Sequence, residues 1–180
     1  MVDIEKVLQE RGREELFGAV VRDLFENVCR DHEPFAFYSK RMSEGERMVI
    51  LIWSLSCEAA NGGIRQFLSN DSGNDFDETY VHLVRIGADE QVAALDRVSN
   101  RVFGGAVPSD RESRRQLLWN FCGEDDSDPD WERKENEAEV FFDEVDEVFG
   151  WCEAVKEMAT DFIIQNQKDF HRNYPDAPAS

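Results

Sequence analysis

The chain has 180 residues, 41% of them hydrophobic with 13 Phe and 4 Trp, which is enough apolar material for one domain with a sizeable core and argues against wholesale disorder. Thirty-nine Asp and Glu stand against 20 Lys and Arg, so the formal charge is −19. Direct binding to nucleic acid or to an anionic membrane face is then repulsive, and the expected partners are cationic. The acidic start Met1-Val2-Asp3-Ile4-Glu5 does not resemble a secretory leader. The apolar run Met48 to Leu55, interrupted by Ser54, is shorter than the roughly 18 residues that cross a bilayer. A soluble, cytoplasmic protein is the expectation.

Apolar spacing predicts helices almost throughout. A short one covers about 3–10, and Leu16, Phe17, Val20, Val21, Leu24, Phe25 and Val28 give the one-sided stripe of a second over about 13–31. Ser43-Glu44-Gly45-Glu46 matches a capping box, in which two side chains satisfy free N–H groups at a helix start, and the apolar run follows it. Asn61-Gly62-Gly63 ends that central helix, and Ile64, Phe67 and Leu68 resume helical spacing, so a broken helix is predicted. A turn at Asp71-Ser72-Gly73-Asn74 leads to helices carrying Phe76 to Ile86 and Val92 to Val98, separated by Gly87. Gly104-Gly105 and Pro108 mark a loop, and Ser109-Asp110-Arg111-Glu112 reads as a second capping box ahead of Leu117, Leu118 and Phe121. After an acidic loop over 123–130, two more helices carry Val140 to Phe149 and Val155 to Phe170. The expected fold is an all-α, compact helical bundle of about seven to nine helices, one domain over 1–172 with a frayed tail over 173–180.

Chemistry finds little support. His32, His82 and His171 are isolated, the four cysteines form no C-x-x-C pair, and no H-E-x-x-H, G-x-S-x-G or phosphate-loop glycine pattern occurs. A Cys57 and His82 dyad can be drawn, but nothing assigns it a role, so no enzyme, cofactor or resident metal is predicted. Asp126, Asp128, Asp130 and Glu137 fit positions 1, 3, 5 and 12 of a calcium loop, although Trp131 replaces the turn glycine and Pro129 stiffens the loop. A calcium-binding or small-ligand helical protein is therefore one alternative.

Acid is concentrated at the end of the sequence. Residues 1–60 carry a net −4, 61–120 a net −2 and 121–180 a net −13. Three explanations stand open: solubility, adaptation to salt and imitation of a polyanion. Duplex DNA carries a charge about every 1.7 Å along its axis, so a fold on the order of 40 Å across would be matched by roughly two dozen phosphates, a density that this chain approaches. On a helix, residues three and four apart are neighbours, so Asp143, Asp146 and Glu147 can form a carboxylate ridge with Glu139 one turn before them. The candidate contacts with a basic protein surface are Asp125, Asp126, Asp128, Asp130, Glu132, Asp143, Glu144, Asp146 and Glu147.

The segment from Glu58 to Asn70, with Asn61-Gly62-Gly63, Gln66 and Phe67 in order, is followed by Ser72-Gly73 and by Ile86-Gly87-Ala88. In these residues the chain resembles a bacterial family of DNA-mimic proteins. The resemblance implies a mostly helical, dimeric cytoplasmic protein that occupies the DNA-binding surface of a transcription factor or another nucleic-acid-binding protein. An immunity-type inhibitor covering the basic cleft of a nuclease is a close variant. Read as residues alone, the motif is scaffold or a polar pocket. Gly62 and Gly63 break the helix, Asn61 caps its second half, Gln66 and Asn70 tie their amides to loop backbone, and Glu58 accepts exposed N–H groups at the following helix start.

Overall fold

The computed structural model describes residues 2–29, 38–123, 129–150 and 152–170. Among them the secondary structure is helical throughout: α1 (Ile4–Glu10), α2 (Leu16–Asn27), α3 (Glu44–Ser69), α4 (Phe76–Arg85), α5 (Asp89–Phe103), α6 (Arg111–Cys122), α7 (Trp131–Phe149) and α8 (Glu153–Gln165), joined in part by short 3-10 turns. The all-α prediction holds. Backbone contacts group the chain into two compact units, one formed by residues 1–53 with 156–180 and the other by residues 54–155. The boundaries fall inside α3 and inside α8.

In the first unit, Asp3 caps α1 by accepting the Lys6 N–H at 3.0 Å. The second helix is shorter than its stripe suggests, because Arg13–Glu15 forms a 3-10 turn before Leu16. The predicted box at the start of α3 is present in full. The Ser43 N–H donates to Glu46 Oε2 at 2.6 Å and the Glu46 N–H donates to Ser43 Oγ at 3.1 Å. The Ser43 hydroxyl donates in turn to the Asp169 carbonyl at 2.6 Å. Gly45 leaves room for the Phe170 ring, which stands 3.0 Å from where a Cβ would be. Phe170 belongs to a 3-10 turn, Gln167–Phe170, rather than to the last helix.

In the second unit, α6 packs on α7 and α5 packs on α4, α6 and α7. Ile64, Phe67, Leu68, Leu83, Leu95, Val98, Leu118, Phe141 and Val145 are buried there. Burying one such side chain contributes about 1.5–3 kcal/mol. Phe121, Phe141 and Phe142 meet edge to face with centroids 5.3–6.0 Å apart. The cap of α6 is Asp110, which accepts the Ser113 N–H at 2.8 Å; it falls one residue after Ser109 and replaces the reciprocal box read from Ser109 and Glu112 with a one-sided cap. Gly104 and Gly123 close α5 and α6 in the left-handed conformation.

Candidate partner-binding surface and its polar anchor

The helix break lies where the sequence puts it. Gly62 (φ −166°) is extended, whereas Gly63 (φ 74°, ψ −175°) is in a region that only glycine occupies without strain. The N–H of Ile64, first residue of the second half-helix, donates to Asp146 Oδ1 of α7 at 2.7 Å. Asn61 is exposed and does not cap it, contrary to the sequence reading. A Cβ on Gly63 would overlap the Asp146 carboxylate, so the glycine also makes room for that acid. Burial raises the Asp146 pKa, the Ile64 N–H lowers it, and repulsion from Asp143 adds to the rise.

The other motif residues close on Glu58. Its Oε2 accepts from Gln66 Nε2 at 2.7 Å and from Asn70 Nδ2 at 2.9 Å, and its Oε1 accepts from Ser72 Oγ at 3.0 Å. The partners are thus side chains rather than the backbone N–H groups expected for Glu58, and the two amides reach this carboxylate rather than loop carbonyls. Hydrogen bonds to an ionised group contribute about 1.5–3 kcal/mol each, so three of them lock the turn after the break. Phe67, between them in sequence, is buried.

Sequence reasoning missed Arg114. This side chain is 0% exposed, yet its guanidinium donates to Leu68 O at 2.9 Å, Pro108 O at 2.9 Å, Asn70 O at 2.8 Å and Asn74 Oδ1 at 2.8 Å. Burial pulls its pKa down, opposed by Asp110 and Asp71. An arginine in a sequence gives no sign of burial unless the acceptors around it are known. Gly73 is part of the arrangement, since a Cβ there would stand 2.9 Å from Arg114 Nε and 2.8 Å from the Phe67 carbonyl.

The acids of α7 divide between two flanks. On one, Arg133 pairs with Glu137 at 2.8 Å and with Asp130 at 3.4 Å, and Arg97 of α5 pairs with Glu144 at 2.6 Å. Arg101 lies 4.8 Å above the Phe141 ring on this side, beside Val140, which is 61% exposed. On the other, Glu135, Glu139, Asp143 and Glu147 follow at four-residue steps, all exposed, with Glu132 beside them. None of these five makes an ion pair among the described residues. Glu135 was not singled out by sequence, although the four-residue row was a signal for it. Asp125, Asp126 and Asp128 lie outside the described residues. Of the remaining candidates, Glu132, Asp143 and Glu147 lie on the bare flank, Asp130 and Glu144 face arginines, and Asp146 turns inward.

Of the calcium template, Asp126 and Asp128 lie outside the described residues. The helix begins at Trp131, the sixth position of the calcium template, which puts Glu137 nearly two turns along it and against Arg133. No group of three metal-ligating side chains occurs among the described residues. Cys57 is exposed on α3, whereas His82 is buried on α4, 3.6 Å from Glu78. No helix among the described residues is long and apolar enough to cross a membrane.

Residues 40–166 match the family described as DMP19-like protein. The chain belongs to that family. The match spans the Glu58 network, Arg114 and all of α7, and the DMP19-like family is one of DNA mimics, in line with the family expected from the sequence. No curated protein and no solved structure matches the chain.

Proposed function

We propose that this DMP19-like protein captures the basic DNA-binding surface of a transcription factor or other nucleic-acid-binding protein, and that the bare flank of α7 is the decoy for a DNA strand. The observation that supports this reading is the row Glu135, Glu139, Asp143 and Glu147, exposed and without cationic partners among the described residues. Twelve residues of helix rise about 18 Å, over which one DNA strand presents about five phosphates, so four carboxylates approach the charge density of a strand. Capture of a Lys- and Arg-rich surface then releases counterions and is weakened by salt. A cytoplasmic location and a homodimer belong to the same proposal.

The test is affinity capture from the native cell extract at low and high salt, comparing the wild-type chain with a Glu135→Gln, Glu139→Gln, Asp143→Asn, Glu147→Gln variant. Under this proposal the wild type retains a DNA-binding protein at low salt and releases it at high salt, and the variant does not retain it. Equal retention by both chains contradicts the decoy. A nuclease in the eluate would instead favour the immunity-type variant of the same mechanism.

A further inference from the structure

We propose that Asp146 is a positioning residue that seats the acidic helix α7 in the break of α3, and that it is not one of the charges offered to a partner. Three observations converge on it. Its carboxylate oxygen is 2.7 Å from the Ile64 N–H, a group that the break deprives of an intrahelical acceptor. Gly63, at φ 74°, withholds the one atom that would fill the space taken by the carboxylate. The side chain is half-buried, whereas Asp143, about one turn before it, and Glu147, next to it, are exposed. The Asn-Gly-Gly break is on this account a socket. It creates an unsatisfied donor and the room for an acid from another helix to reach it. The contact fixes α7 along its length, and so fixes where the row Glu135 to Glu147 stands relative to the Glu58 and Arg114 network. This inference deepens the decoy reading and rests on it only for the use made of that row.

Asp146→Asn keeps an acceptor oxygen and removes the charge, whereas Asp146→Ala removes both, with Asp143→Asn as the control for an exposed acid. Three measurements apply to the full chain: amide hydrogen exchange at Ile64, binding of a fluorescein-labelled oligoarginine peptide across a salt series, and the distance distribution between nitroxide labels on Cys57 and on a Glu139→Cys site in a Cys29→Ser background. Asp146→Asn is expected to leave all three at wild-type values. Asp146→Ala is expected to speed Ile64 exchange about tenfold and to broaden the label distribution. Asp143→Asn is expected to weaken oligoarginine binding and flatten its salt dependence. Loss of oligoarginine affinity in Asp146→Asn equal to that in Asp143→Asn would overturn the proposal, as would Ile64 exchange and label distances unchanged in Asp146→Ala. Failure of oligoarginine to bind the wild type would count against the decoy reading, and the exchange and distance measurements would still decide the role of Asp146.

Discussion

Glu58 and Arg114 hold opposite ends of one residue: the carboxylate accepts the Asn70 side-chain amide at 2.9 Å, and the guanidinium donates to the Asn70 carbonyl at 2.8 Å. A negative and a positive group are thereby joined through a neutral one at the end of the broken helix. Each makes further hydrogen bonds to motif or loop residues, so that Glu58 accepts three in all and Arg114 donates four. The motif is therefore one connected polar network.

Arg114→Leu should be the most damaging single substitution in the second unit. It leaves the buried Leu68 carbonyl, the part-buried Asn70 and Pro108 carbonyls and the Asn74 side chain without their donor, at an expected cost of about 3–5 kcal/mol. Arg114→Lys should recover only part of this, because a point ammonium cannot reproduce the planar fork. Urea denaturation followed by circular dichroism reads both. Lysine restoring full stability would contradict the need for a guanidinium that reaches four separate acceptors.

The two glycines of the break should differ. Gly63→Ala combines a positive φ with overlap on the Asp146 carboxylate and should cost about 1–3 kcal/mol. Gly62 has no positive φ, and although a Cβ there would overlap the side-chain oxygen of Gln66, that atom is the far end of a side chain, so Gly62→Ala should cost less. Thermal melting of the pair checks the order. Equal loss at both positions would mean that Gly63 is not the strained point.

Asp75 and Asp146 should tilt the dependence of stability on pH. Burial raises both pKa values, with repulsion from Glu78 adding to Asp75 and from Asp143 to Asp146. The folded state therefore binds these protons more tightly than the unfolded state does. Their contribution is fully present below the ordinary carboxylate pKa and is lost as pH rises through the raised values. Asp75→Asn and Asp146→Asn should melt at or above the wild type at neutral pH, and the difference should vanish in acid. Wild-type melting above both variants at neutral pH would reverse the sign and refute this reading.

The two flanks of α7 should respond differently to neutralisation. Glu139→Gln, Asp143→Asn and Glu147→Gln should each reduce the salt slope of partner binding, by at most about one unit in log–log form. Glu144→Gln should change it less, since Arg97 already offsets that charge. A binding isotherm at several salt concentrations separates these cases. Equal effects from both flanks would remove the distinction between them.

The all-helical class, the capping box at Ser43 and Glu46, the break at Gly62-Gly63 and the concentration of acid near the end were legible in the sequence, because each is a local pattern whose meaning depends on neighbours within about one helical turn. Tertiary structure alone decided the rest. The acceptor for the Ile64 N–H comes from a residue 82 positions away, the buried arginine reaches carbonyls 44 and 46 positions away, and adjacent acids on α7 acquire different roles. Charge in a sequence is a count. Whether a carboxylate is paired, capped inward or left facing solvent depends on which groups packing brings within a few ångströms, and the sequence pattern does not hold that distance.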